Sequence, residues 1–208
     1  MRIVVATGNP HKVEEIRAVL APLGFTVLSL AETGRPVPPE PEEPHPTFEQ
    51  NARLKAMHYA RAVGEAVLAD DSGLEVDALL GAPGVHSAHW AGREGSREER
   101  DARNNARLAE AMQGVPVHRR TARFVCTMCI ATPDGEVLVE TRGEMEGVIG
   151  DAPRGAHGFG YDPMFYYPPL GRTLAELGEG EKALVSHRGQ AFRQLHDYLR
   201  GGDLAGGA

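Results

Sequence analysis

Residues Arg2 to Ala6 (RIVVA) form an apolar run too short for a helix, which ends at the glycine-bearing loop Thr7 to His11. Behind that loop the apolar residues Val13, Ile16, Val19, Leu20 and Leu23 recur at helical spacing, and Gly24 stands where a helix C-cap belongs. A wholly apolar short strand followed at once by an amphipathic helix is the opening of a parallel α/β sheet, in which strands are covered on both faces.

Later segments extend this pattern. Phe25 to Leu30 reads as a second strand. Arg35 to Pro46 holds six of the fifteen prolines together with Glu40, Glu42 and Glu43, so no regular element fits there. Thr47 with Gln50 matches a capping box and opens a helix to about Val63, closed by Gly64. Ala66 to Asp70 is a further short apolar strand, and Gly81 to Gly84 a turn. Ser96 with Glu99 starts a helix to about Met112. The strand-like runs Thr121 to Thr132 and Glu136 to Val148 flank Pro133-Asp134-Gly135 and are expected to pair as a hairpin. A last helix is expected over Gly189 to Leu199, with Ala191, Phe192, Leu195 and Leu199 inward. Residues 201–208 read as a disordered tail, so the expectation is one domain over residues 1–200.

Composition narrows the function. The net charge of -7 disfavours non-specific binding to nucleic acid or anionic lipid, both of which require a basic face. No run reaches the ~18 apolar residues of a membrane span. The N-terminal apolar run is also shorter than the ~7 to 15 residues of a secretory signal. A cytoplasmic protein is expected. Cys126 and Cys129 spell C-x-x-C, but they fall in a strand, where three steps at ~3.3 Å put them on opposite faces and too far apart for a disulfide or one zinc. His86 and His89 have a metal-like spacing in what reads as irregular backbone, and are taken as structural.

Five segments carry possible chemistry. Thr7-Gly8-Asn9-Pro10-His11-Lys12 joins a strand to a helix N-terminus, a place suited to phosphate. Asp70-Asp71-Ser72-Gly73 ends an apolar strand, and its hard oxygen donors suit Mg²⁺ bound with phosphate oxygens and water. The proline-rich loop offers Glu40, Glu42 or Glu43 as a further carboxylate. Gly155 to Phe165 brings aromatic rings such as Phe159 beside Asp162, apt for stacking and reading a base. Ser186-His187-Arg188-Gly189 adds an imidazole and an arginine fork at the last helix. Each segment taken singly is equally at home as plain structure: a connection, a turn, a solvated acidic run, a glycine-rich loop, a helix cap. The 22 basic residues divide into 19 arginines and only three lysines, Lys12, Lys55 and Lys182; a compact ammonium binds phosphate as a point charge in a way a planar guanidinium does not replace.

Taken in order, TGNPHK, TFEQNARLKA, ADDSGLEVDALLGAPGVHSAHWAG, GFGYDPMF and EKALVSHRGQA resemble the inosine triphosphate pyrophosphatase family, the dITP/XTP diphosphatases, over roughly Met1 to Arg200. The resemblance implies an elongated α/β fold in which helices flank a central mixed β-sheet and a cleft lies between two lobes. It also implies a homodimer that works with Mg²⁺ on non-standard purine nucleotides. Carried over by position, Thr7, Gly8, Asn9, Pro10, His11 and Lys12 would grip the triphosphate, with Lys55 as another contact. Glu43 and Asp71 would bind the metal, and Asp71 would also be the general base, with Ser72 beside the substrate. Phe159, Gly160, Tyr161 and Asp162 would form the base pocket, Lys182 a further contact, and His187 and Arg188 the readers of the purine 6-oxo group. Three positions depart from the family pattern: Gln50 stands where glutamate is common, and His86 and His89 stand where Tyr and Arg are usual. The implied reaction is hydrolysis of ITP, dITP or XTP to the monophosphate and pyrophosphate. A non-catalytic purine nucleotide sensor and a pyrophosphatase of broad base specificity are the alternatives.

Overall fold

The computed structural model describes residues 1–7 and 10–201, the side chains of residues 10, 11, 15 and 19 excepted. The expectations for Gly8 and Asn9, for the side chains of Pro10 and His11, and for the tail beyond residue 201 lie outside the described residues.

Seven strands form one mixed sheet, in the order β2-β1-β3-β4-β5-β6-β7. They are β1 (Arg2–Val5), β2 (Thr26–Ser29), β3 (Ala66–Val76), β4 (Thr121–Ala131), β5 (Val137–Ile149), β6 (Phe165–Tyr167) and β7 (Arg172–Thr173). The α-helices are α1 (Pro10–Leu20), α2 (Phe48–Val63), α3 (Arg97–Ala111), α4 (Glu179–Val185) and α5 (His187–Arg200). β1 runs parallel to both β2 and β3, whereas β6 pairs antiparallel with β5 and β7. No helix among the described residues is long and apolar enough to cross a membrane.

The chain divides into two compact units. Unit 1 comprises residues 1–71, 126–142 and 191–208, and unit 2 comprises residues 72–125 and 143–190. In unit 1 the alternation of a strand buried on both faces is explicit. Ile3 and Val5 join a cluster with Val13, Ile16 and Leu20 of α1 and Leu195 of α5, while Val4 and Ala6 join one with Ala52, Ala56, Ala60 and Val63 of α2. Cys126 and Cys129 fall into these two different clusters, as strand geometry requires. Unit 2 has its own core, in which Leu74 and Val76 of β3, Leu108 of α3 and Met112 at its C-cap, and Phe124, Met145 and Phe165 pack together.

Helix boundaries follow the caps. Thr47 accepts from the Gln50 N–H, and Gly64 closes α2 in the left-handed region. Ser96 and Glu99 complete the reciprocal capping box of α3.

Three expectations are corrected. β3 does not stop at Asp70 but runs to Val76, so Asp70 to Gly73, poor strand formers, are held extended by the sheet. α5 starts at His187, two residues early, because Ser186 accepts from the Gly189 N–H and caps it. His86 and His89 sit in a short 3₁₀ helix rather than irregular backbone. The short β6, β7 and α4 carry too few residues for a periodic signal.

Candidate active site

In unit 1 the polar group gathers around β3. The parallel register pairs Ile3 with Ala66 and Val5 with Leu68, so β1 ends while β3 continues, and the C-terminal end of β1 opens beside Asp70. Ligands in open α/β sheets bind at such strand ends. Lys12, in the first turn of α1, reaches both carboxylate oxygens of Asp70, at 3.2 and 3.1 Å. The strand pleat sends Asp70 and Asp71 to opposite sides, which relieves the repulsion of adjacent carboxylates. Asp71 is buried, at 8% exposure.

Lys55 projects from α2 and donates to the Asp70 carbonyl oxygen at 3.2 Å. It also pairs with the Glu43 carboxylate, and Glu40 lies 3.9 Å away. Burial works against its charge, but Glu43 foremost, then Asp70 and Asp71, outweigh that and hold its pKa above the ordinary lysine value. Asn51 explains how an irregular loop presents Glu43: buried one turn before Lys55, it accepts from the His45 N–H at 3.1 Å and donates to the His45 carbonyl at 3.2 Å. Of the three loop glutamates, Glu43 is the one closely paired with Lys55 and half-buried, while Glu40 and Glu42 are exposed.

Carboxylates collected around one ammonium make a place that attracts positive charge, and the donors are all hard oxygens, so the residues fit Mg²⁺. Among the described residues no group of three or more His, Cys, Asp or Glu side chains is arranged to hold a metal ion. Mg²⁺ asks for less, since one or two carboxylates suffice when phosphate oxygens and water complete its shell.

In unit 2 the segment from Gly158 to Asp162 is fixed by its own acid. Asp162, 3% exposed, accepts the Phe159 N–H at 2.8 Å and pairs with Lys182 of α4. Gly158 is required there: a Cβ would lie 2.1 Å from Asp162 Oδ2, at a φ of +76°. This leaves Phe159 46% exposed. Tyr161 turns the other way, buried with its hydroxyl donating to the Ser87 carbonyl at 3.0 Å, and desolvation pushes its pKa up. Arg188 donates to Ser72 Oγ at 3.2 Å. His187 is buried and stacks on Phe124, with ring centroids 5.0 Å apart and planes inclined by 13°, so its imidazole orientation is set by the core.

Thus unit 1 brings Lys12, Lys55, Glu43, Asp70 and Asp71 to β3 and its flank, and unit 2 brings Ser72 to Arg188 and Phe159 to Asp162 and Lys182. Thr7 lies at the end of β1. Sequence reasoning missed Asp70 as the partner of Lys12, Phe124 behind His187, and three residues of α3, namely Arg97, Asp101 and Asn105, that touch Phe159 and Gly160. The four-residue spacing of the last three was the available signal.

A mixed sheet whose third strand carries two acids, with lysines from α1 and α2 turned to them, defines an α/β protein with an ionisable site on β3. The chain belongs to the Ham1 family, whose profile matches residues 3–198. It is 55% identical to a dITP/XTP pyrophosphatase of Exiguobacterium over 94% of this chain and 95% of that one. It is 49% identical to a dITP/XTP pyrophosphatase of Thermus thermophilus over 97% and 93%. Among solved structures, a HAM1 protein from Coxiella burnetii superposes with a TM-score of 0.88 at 38% identity, covering 97% of this chain and 99% of that one. A nucleoside-triphosphatase, dITP/XTP pyrophosphatase, from Mycobacterium abscessus gives 0.79 at 43% identity, covering 94% and 97%.

Proposed function

We propose that this protein hydrolyses non-standard purine nucleoside triphosphates, ITP, dITP and XTP, to the monophosphate and pyrophosphate, as a Mg²⁺-dependent homodimer in the cytoplasm. What carries the reading is kinship over nearly the full length with proteins named dITP/XTP pyrophosphatase, 55% identical in one case. The residues support it chemically.

Lys12 and Lys55 are the point charges for a phosphate chain, and Thr7, Gly8, Asn9, Pro10 and His11 are the further phosphate contacts, a role suited to a sequence that leads into a helix N-terminus. Asp71, with Ser72 next to it, orients a water toward the α-phosphorus. The new P–O bond forms as the bond to the β-phosphate oxygen breaks, pyrophosphate leaves with that electron pair, and the water proton passes to the carboxylate. Glu43 and Asp71 would hold Mg²⁺, which when bound would neutralise phosphate charge. Phe159 offers its exposed face to the purine, and Gly160, Asp162 and Lys182 fix that platform; Tyr161 contributes through its backbone and the core.

His187 and Arg188 are donors for the 6-oxo group. Adenine presents an amino donor instead, leaving those donors unpaired at ~1 to 3 kcal/mol each, enough for two of them to separate the substrates a hundredfold.

The test is one pyrophosphate-release assay on ITP, dITP, XTP, GTP and ATP with Mg²⁺. Release from the first three at rates far above ATP is expected. Binding of ITP without pyrophosphate identifies a sensor instead, and equal rates on all five identify a pyrophosphatase of broad base specificity.

A further inference from the structure

Three cationic groups of unit 2 surround the exposed Phe159 ring. The Arg97 Cζ lies 4.5 Å from its centroid, the Lys182 Nζ 4.6 Å and the Arg188 Cζ 6.0 Å. Two of the three are accounted for by other contacts: Lys182 pairs with Asp162, and Arg188 donates to Ser72. Arg97 differs. It is exposed, sits in the first turn of α3 where the helix dipole disfavours a cation, and makes no ion pair among the described residues.

Its neighbours on the helix show why α3 is turned this way. Arg97, Asp101 and Asn105 recur every four residues and so share one face. Asp101 Oδ2 accepts the Gly160 N–H at 2.8 Å, and Asn105 Nδ2 donates to the Gly160 carbonyl at 2.8 Å. Both polar groups of the Gly160 peptide are therefore held by this face, and the Arg97 guanidinium lies over the ring of the preceding residue. α3 is a wall of the Phe159 platform, and Arg97 is the cation on that wall that no close ion pair holds, with the Glu98 carboxylate within electrostatic reach.

A flat ligand stacking on Phe159 meets this guanidinium as a planar, positively charged partner. Xanthine carries oxo groups at both C2 and C6 and is more acidic than hypoxanthine, so its ring bears more negative charge. We infer that Arg97 is a specificity-determining residue of the base site, favouring xanthine over hypoxanthine nucleotides. The inference rests on the reading of Phe159 as the base platform.

The experiment compares wild type, Arg97→Ala and Arg97→Lys for pyrophosphate release from XTP and ITP, and for calorimetric binding of the monophosphates XMP and IMP. Arg97→Ala is expected to lower kcat/KM for XTP by roughly tenfold and that for ITP by less than about threefold, the size of one cationic contact on a stacked ring. Arg97→Lys is expected to restore most of the XTP loss, and the XMP to IMP affinity ratio should fall in parallel. Equal losses on both bases, or none, overturn the inference while leaving the proposed reaction intact. If wild type releases no pyrophosphate from either nucleotide, the reaction is wrong, and the monophosphate affinities alone then decide the role of Arg97.

Discussion

Lys12 Nζ lies 3.2 and 3.1 Å from the two carboxylate oxygens of Asp70, joining the start of α1 to β3 across 58 positions of sequence. Both side chains keep some solvent contact, 25% and 18%. Such a pair adds little stability, so Lys12→Ala should lower the unfolding free energy by no more than about 1 kcal/mol. The same change removes a phosphate point charge and should raise KM for ITP by roughly tenfold or more. Urea denaturation and steady-state kinetics on one preparation check both halves; a large stability loss with unchanged KM would assign Lys12 to the fold instead.

Lys55 behaves in the opposite way. Its side chain is only 11% exposed and is set among Glu43, Asp70 and Asp71. Lys55→Met should cost about 3 to 5 kcal/mol in urea denaturation without ligand, because buried carboxylates lose their counter-charge. The pH dependence has a definite sign. A pKa raised in the folded state means the native protein holds the proton more tightly than the unfolded chain. The stabilisation is complete below the ordinary lysine value of 10.5 and is lost as pH rises through the higher folded value. Wild type should lose stability in that alkaline window by more than Lys55→Met does.

Asp71→Asn keeps the shape of the side chain and removes its basicity. Turnover should fall by roughly 10² to 10⁴, the usual contribution of a general base, while ITP binding persists. Wild-type activity in this variant with Mg²⁺ present would remove the base assignment.

Arg188→Ala should raise KM for ITP several-fold more than KM for ATP, since the lost donor is directed at an oxo group that adenine lacks. Equal effects on both would limit Arg188 to its bond with Ser72.

Both cysteines are buried in β4, and desolvation pushes the Cys129 thiol up to about 12. A thiolate reagent at neutral pH should leave the native protein unlabelled and react with two thiols only after denaturation. Rapid native labelling would place a thiol at the surface.

The strands and helices with a full period were readable in the sequence, and so were their ends wherever a side chain makes the cap, as at Thr47, Gly64 and Ser96. The course of β3 through Asp70, Asp71, Ser72 and Gly73 was not, since sheet pairing, a non-local term, overrides the weak strand preference of those residues. For the site, lysine scarcity singled out Lys12, Lys55 and Lys182, and all three meet carboxylates. The residues alone left Glu40, Glu42 and Glu43 open and the family resemblance pointed to Glu43; the Asn51 clamp on His45 beside it is a contact with no local sequence signature. Tyr161 shows the converse limit: adjacent aromatic residues in one glycine-rich loop look alike in sequence, but one ring is exposed and the other lies in the core.

In the proposed reaction water attacks the α-phosphorus under the direction of Asp71. Hydrolysis of ITP in heavy-oxygen water, followed by mass spectrometry of the products, tests this directly. The label is expected in the inosine monophosphate, with unlabelled pyrophosphate. Label in the pyrophosphate, or release of orthophosphate as first product, would contradict it.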